Sequence, residues 1–179
     1  MRRASRCLPM FESAKPVFLV DAYTDPVLVR IEGRASFMNS ASLKSFFAEM
    51  TRQGRKRFIV DFAHCAGMDS TFLGVLAGVA LELRKYLPAG TLMLARVGER
   101  NLELIRNLGL HRLAMVDSGT FAMDFGTKAP QGLTDQARSE MEGARLLLEA
   151  HENLVSADAA NAAKFQDVLA FLRHRVESR

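Results

Sequence analysis

The sequence has little of what secreted, membrane-spanning and disulfide-bonded proteins need. It contains two cysteines in 179 residues, Cys7 and Cys65, which are too few for a disulfide framework. Its longest uncharged apolar run, over residues 72–81, has ten residues and is too short to span a bilayer. The basic N-terminus has no continuous apolar stretch, which argues against a signal peptide. These absences predict a cytoplasmic protein with no membrane insertion and a mobile basic tail over residues 1–16.

Enzyme and cofactor motifs are also missing. No Gly-x-Gly-x-x-Gly follows the first predicted strand and no Gly-Lys-Ser/Thr loop occurs, so no nucleotide site is expected. His64 and Cys65 are adjacent, but no second ligand pair stands at zinc-like spacing, so we expect a structural turn with a half-buried thiol. A serine hydrolase would need His64 or His111 beside Ser70, and the glycines of a nucleophile elbow are misplaced. We therefore predict a binding protein that is not an enzyme and uses no metal or cofactor.

The charge is basic, with a net value of +4 and a pI of about 9.4. Much of the excess is local, at three arginines within residues 2–6 and at four basic residues within 52–57. The second group lies where a predicted helix ends, and basic side chains are favourable there. No aromatic residues alternate with the basic ones, so we predict no nucleic-acid binding, while an acidic or phosphate-bearing protein partner stays open.

Strands and helices alternate over residues 17–118. The predicted strands cover residues 17–20, 27–31, 58–62, 91–95 and 113–116, and the predicted helices cover residues 39–50, 70–86 and 99–108. The strand over 58–62 lacks polar alternation, which indicates burial on both faces. The turn at Asp25-Pro26 favours an antiparallel first pair, whereas alternating strands and helices require parallel crossovers. The pattern therefore predicts an α/β fold with a mixed sheet.

Two small polar residues, Asp69 and Ser70, lie between the central predicted strand and the apolar helix that follows it. At this position Ser70 would lie beside free backbone N–H groups and the positive end of the helix dipole. That environment suits a phosphate or a phosphorylatable serine. Asp, Ser and Thr are also favoured N-caps, because their oxygens accept the unpaired N–H groups of the first turn. The residues alone allow both an N-cap and a regulatory site.

The segment around this motif resembles the STAS domains of bacterial anti-sigma factor antagonists. The resemblance is carried by VDF at 60–62 with MDSTFLGVL at 68–76, by VLVRIEGR at 27–34, by a first helix over 39–50 and by NLELIRNLGL at 101–110. It covers roughly residues 17–118 and implies a STAS-like mixed sheet with alternating strands and helices. One departure is Phe72, because the family usually has a small residue, often glycine, at that position.

The resemblance also implies a function and a site. Ser70 would be the phosphoacceptor, with Thr71 as the adjacent candidate. The implied partner-binding residues are Asp69, Ser70, Thr71, Phe72 and Asn39. The partner would be an anti-sigma factor with an ATP-binding kinase domain, which the unphosphorylated protein sequesters so that a sigma factor is freed, and a protein phosphatase would reset the switch. A STAS scaffold that is never phosphorylated and a transporter-associated STAS subunit are the alternatives.

The C-terminal third has a different character. Residues 119–133 contain glycine and proline and are predicted to form a linker. Residues 134–179 are predicted to form a helical hairpin, with Thr134 capping the first helix and Ser156 or Asp158 starting the second. The apolar stripes are Ala137, Met141, Ala144 and Leu148 on the first helix, and Phe165, Val168, Leu169 and Leu172 on the second. Packing on the chain's own domain and a role in a homodimer or partner interface are both open. His151 and His174 also lie here and are assigned no chemistry.

Overall fold

The computed structural model of the protein describes residues 15–119, 121–122 and 129–178. The strands are β1 (Phe18–Asp21), β2 (Val27–Ala35), β3 (Arg57–Met68), β4 (Thr91–Ala95), β5 (Met115–Val116) and β6 (Gln131–Gly132). The helices are α1 (Ser40–Arg52), α2 (Ser70–Leu83), α3 (Glu99–Asn107), α4 (Glu140–Ala157) and α5 (Asn161–Glu177), with a 3₁₀ turn at Leu110–Arg112. Most of the predicted N-terminal tail, residues 1–14, and residues 120 and 123–128 of the predicted linker lie outside the described residues.

The strands form one mixed sheet in the order β5-β4-β3-β2-β1-β6. β1 is antiparallel to β2 and β6, while β2, β3, β4 and β5 are parallel neighbours. The predicted α/β fold with a mixed sheet is confirmed. The expectation that residues 119–133 form only a linker is wrong at Gln131 and Gly132, which pair with Val20 and Leu19 at the sheet edge. Two residues are too few to show a strand period, so the sequence carried no signal for this strand.

The central strand β3 is buried on both faces over the predicted segment, since residues 58–62 are all buried. It also runs six residues further than predicted, to Met68. His64 and Cys65 therefore extend a strand beside Glu32 and Gly33, and the predicted turn at this point is wrong. His64 Nδ1 lies 3.0 Å from Glu32 Oε1, and the Cys65 thiol is half-buried, which raises its pKa.

Helix ends follow local chemistry. α3 stops before Gly109, whose φ of 80° lies in the left-handed region that glycine adopts without strain. The first hairpin helix begins at Glu140 and not after Thr134, because Ser139 and Glu142 form a complete capping box. The second begins at Asn161, so Ser156 lies inside α4 and the predicted start there is wrong.

The C-terminal hairpin, residues 140–177, packs on the chain's own domain. α4 lies against α2, and its Leu154 is fully buried in the main apolar cluster between the sheet and the helices. The other large, fully buried members of this cluster come from the sheet and from α1, α2 and α3; they include Phe18, Ile31, Leu43, Phe47, Phe58, Phe62, Phe72, Leu76, Leu94 and Ile105. Among the described helices, none is both long and apolar enough to cross a membrane.

Candidate functional site

The candidate site lies where two parallel strands end and α2 begins. β2 and β3 finish side by side, with Ala35 paired to Met68. The next residue, Asp69, donates its backbone N–H to the carbonyl O of Ala35 at 3.2 Å. The sheet therefore fixes the backbone immediately before α2, and the first helical residue, Ser70, is placed by the strand ends.

Asp69 is the N-cap of α2. Its Oδ1 accepts the backbone N–H of Phe72 at 2.9 Å, and its Oδ2 accepts the backbone N–H of Phe37 at 2.8 Å. The second bond ties the loop before α1 to the start of α2. The N-cap interpretation of the motif is thus confirmed for Asp69, and both carboxylate oxygens already have protein partners.

Ser70 has a histidine partner that comes from the hairpin. Its Oγ lies 3.1 Å from His151 Nε2, and His151 Nδ1 lies 2.7 Å from the carbonyl O of Leu147. A carbonyl oxygen only accepts hydrogen bonds, so in the neutral imidazole the proton is on Nδ1 and Nε2 is the acceptor. The Ser70 hydroxyl therefore donates to His151, while its own side chain is only partly buried.

The sequence did not point to His151 as the partner of Ser70. The two histidines considered for that role, His64 and His111, do not bond to Ser70 in the structure. His64 contacts Glu32. His151 is 5% exposed and packs edge-on against Phe165, with ring centroids 4.8 Å apart. The signal that could have found it is a histidine on the apolar stripe of a helix, between Leu147 and Leu154. Because its Nδ1 faces a backbone carbonyl, the arrangement is not a Ser-His-Asp triad.

Three of the predicted partner-binding residues are buried. Thr71 is 3% exposed, and Phe72 is fully buried, stacked on Phe18 at a centroid distance of 6.0 Å. Asn39 is 7% exposed; its side chain accepts the N–H of Ser36 at 2.9 Å and donates to the carbonyl O of Arg34 at 3.0 Å. The structure therefore buries these three side chains, and their contact with a partner stays a prediction.

A cleft of about 560 Å³ opens beside Ser70. Its lining includes Asp69, Ser70, Leu73, Leu104, Asn107, Lys164 and Phe165. Lys164 brings an ammonium group from α5 into this lining and donates to the carbonyl O of Asn107. The accessible part of the site is therefore Asp69 and Ser70, bordered by residues of α3 and of the hairpin.

A second polar cluster joins the middle of β3 to the carboxyl end of β4. Asp61 is fully buried and accepts hydrogen bonds from Arg96 Nε at 2.9 Å and from the backbone N–H of Ala63 at 3.0 Å. Arg30 Nε is 3.4 Å from its Oδ2. Burial on its own would raise the pKa of Asp61, but these bonds and the charge of Arg96 outweigh it and lower the pKa. Asp61 thus clamps neighbouring strands together.

No group of three or more His, Cys, Asp or Glu side chains within the described residues is placed to hold a metal ion. Residues 18–117 match the model of the family described as Mlab, STAS domain. The chain belongs to the STAS domain family. The matched segment runs from β1 to just after β5, so the STAS domain contains Ser70, and the hairpin that contributes His151 lies outside the match.

Solved structures with a similar fold include two forms of one protein. The anti-sigma factor antagonist SpoIIAA in its unphosphorylated form is 19% identical, with 59% of this chain and 89% of that chain covered and a TM-score of 0.48. The Bacillus cell fate determinant SpoIIAA in the phosphorylated form is 22% identical, with 55% and 89% covered and a TM-score of 0.46. A search of curated proteins found no match to this chain.

Proposed function

We propose that this STAS domain is a protein-binding module that acts as an anti-sigma factor antagonist, switched by phosphorylation of Ser70. Its partner is an anti-sigma factor with an ATP-binding kinase domain, which the unphosphorylated form sequesters so that a sigma factor is released. A protein phosphatase returns the modified form to the binding state. The protein acts in the cytoplasm by binding and not by catalysis.

The observation that carries this proposal is the position of Ser70. It is the first residue of α2, directly after the N-cap Asp69, and it lines an open cleft. Helix N-termini favour negative charge because their backbone N–H groups and dipole point toward it. A phosphate on Ser70 is therefore compatible with the free STAS domain.

The switch would act on the interface and not on the fold. A phosphoserine carries about −1.5 to −2 charges near neutral pH, and it would stand beside the carboxylate of Asp69. A partner that fits closely over this end of α2 would have to desolvate both negative groups, which is costly without matching cations. Phosphorylation would thus weaken the complex while α2 stays folded.

A second candidate function is a STAS scaffold that is never phosphorylated, including one associated with a transporter. The bond between Ser70 and His151 favours it, because the hydroxyl already has a partner inside the chain. In that case Ser70 would serve to hold the hairpin. A homodimer stays a prediction, which light scattering of the full chain would check.

Intact mass of the protein purified from its native host, wild type beside Ser70→Ala, separates the two candidates. A phosphate on the wild type that is absent from Ser70→Ala supports the switch. The scaffold would be favoured if the wild type carried no phosphate under any growth condition while the wild type and Ser70→Ala still captured the same binding partner. Identifying the captured partner as a kinase-like ATPase or as a transporter subunit then decides the partner class.

A further inference from the structure

One side of Ser70 is covered by the chain's own hairpin, and the other side faces the cleft. α4 crosses the N-terminal half of α2, where His151 contacts Ser70 and Asn153 Nδ2 donates to the carbonyl O of Gly74 at 3.2 Å. The start of α5 brings Lys164 to the cleft beside Ser70. A second protein that binds over the start of α2 would therefore meet α4 and α5 first.

The contact between the two helices is specified by glycine. A Cβ added at Gly74 would lie 2.2 Å from the carbonyl O of Ala150, and one added at Gly78 would lie 2.4 Å from Asn153 Nδ2. Since real Cβ atoms do not approach backbone so closely, α4 could not reach this position against a side chain at Gly74. The two glycines lie about one helical turn apart and form the surface of α2 on which the hairpin packs.

The hairpin is buried against α2, but most of its apolar side chains lie outside the main apolar cluster, namely Ala144, Leu146, Ala150, Leu169 and Leu172. Among the described residues of the main apolar cluster that are fully buried, only Leu154 comes from the hairpin. Its remaining ties include partly exposed ion pairs, such as Lys44 with Glu149 and Arg112 with Asp158. Exposed pairs of this kind contribute little to stability. Opening the hairpin would remove Leu154 from this cluster and uncover one side of α2, which costs free energy, while the buried side chains of the sheet and of α1 and α3 would stay packed. Opening of this kind requires less free energy than unfolding the whole chain.

We propose that the C-terminal hairpin is a displaceable cover over Ser70, held by the bond from Ser70 to His151, and that it competes with the protein partner for the start of α2. This rests on the proposed function, in which a kinase and an anti-sigma factor must reach Ser70. With the cover docked, the hydroxyl is bonded to His151 and Ser70 is open only on the side that faces the cleft. With the cover displaced, the N-terminal turn of α2 is available to a partner.

Access to position 70 can be measured without the partner. Ser70→Cys, in a full-length chain with Cys7 and Cys65 replaced by serine, is alkylated with iodoacetamide and followed by intact mass. Gly74→Ala pushes on the Ala150 backbone and should raise the alkylation rate by about tenfold or more, with Asn153→Ala giving a smaller rise. Gly98→Ala is the matched control, because a Cβ there meets nothing within 4 Å. Equal rates in all four proteins, each melting cooperatively, would overturn the cover.

A disulfide gives the opposite perturbation. The Cβ built at Gly78 lies 3.1 Å from Asn153 Cγ, close to the separation of about 3 Å between a Cβ and the far sulfur of a disulfide. Gly78→Cys with Asn153→Cys, made with Cys7 and Cys65 replaced by serine, is incubated with dialysed native-host extract and ATP. The reduced form should gain phosphate on Ser70 and the oxidised form should not, with each single variant as control.

The outcomes distinguish failure of the proposed cover from failure of the proposed function. Equal phosphorylation of the oxidised and reduced forms would overturn the cover and leave the proposed function standing. No phosphate on any form would count against the proposed function, while the alkylation rates would still decide whether the hairpin covers position 70.

Discussion

Ser70 Oγ lies 3.1 Å from His151 Nε2, although the two residues are 81 positions apart in the chain. The first belongs to the STAS domain and the second to a helix outside the matched segment. This bond couples the residue proposed to be phosphorylated to the hairpin that covers it. A substitution or modification of either residue should therefore change the contacts of the other.

His151→Ala should destabilise the protein by roughly 2–3 kcal/mol, because it removes a buried ring, its bond to Ser70 and its contact with Phe165. Urea denaturation at neutral pH measures this loss. His111→Ala is the control, since His111 is exposed and its replacement should stay within about 0.5 kcal/mol of wild type. A similar midpoint for both variants would contradict the packing described for His151.

Phosphate should be found on Ser70 and not on Thr71. Thr71 is 3% exposed, so a kinase could reach its hydroxyl only if the start of α2 unfolded. Phosphopeptide mapping of protein from the native host should give the modified Ser70 alone. Thr71→Ala should keep most of the phosphate if the variant remains folded, and a map that shows only Thr71 would reverse the assignment.

Ser70→Asp should weaken capture of the anti-sigma partner, whereas Ser70→Ala should retain it, because only the aspartate places a charge at the interface beside Asp69. Calorimetry with the captured partner measures both affinities. Ser70→Asn is a useful control of similar size and no charge, and it should bind more like alanine than aspartate. Equal affinity for the alanine and aspartate variants would rule out a charge-based switch.

Leu154→Ala should lower the free energy of unfolding by about 2–5 kcal/mol, because this side chain is fully buried in the main apolar cluster. Val168→Ala, on the same hairpin, should change it by only about 0.5 kcal/mol because Val168 is 43% exposed. Chemical denaturation of the full chain gives both values. If the two variants lost the same stability, the hairpin would not be docked as the structure has it.

Asp61→Asn should cost roughly 2–4 kcal/mol at neutral pH, since it leaves Arg96 without its carboxylate partner. The pKa of Asp61 is lowered in the folded protein, so ionised Asp61 stabilises the fold above the unfolded-state pKa of about 3.9. This contribution is lost as the pH falls through the folded-state pKa.

The difference between wild type and Asp61→Asn in urea should therefore shrink from pH 7 toward pH 3 and below. Asp25→Asn provides the comparison at an exposed ion pair, with Arg57, and should move the urea midpoint little at either pH. A difference between wild type and Asp61→Asn that stays constant with pH would contradict the lowered pKa.

The sequence by itself determined the STAS domain and the start of α2. The strand over 91–95 was predicted with the bounds that the structure has, because it is a short apolar run bounded by a Pro-Gly turn. Asp69 was predicted as an N-cap from its place before an apolar helix, and its bond to the N–H of Phe72 confirms that role. These features depend on neighbours in the chain, so local chemistry was enough to predict them.

Only the tertiary structure decided where the hairpin lies. An apolar stripe shows that a helix must be buried but does not say against which surface, so docking on the domain and dimerisation were both open. The absence of side chains at Gly74 and Gly78 matters only because α4 packs against these two positions. Likewise, β6 forms because its backbone pairs with β1, which is distant in the chain, and no side-chain pattern in β6 indicates this pairing.

The same reason explains what was missed at the site. Thr71 and Phe72, which follow Ser70 in the chain, and Asn39, which lies 31 positions before it, were predicted to bind a partner, but the packing of α2 and α1 on the sheet buries them. His151 was not expected, because a single histidine on an apolar stripe does not show which hydroxyl it will meet. The position of Ser70 at the start of a helix could be predicted from its neighbours in the chain. Its partner, His151, could not, because their contact depends on how α4 packs across α2.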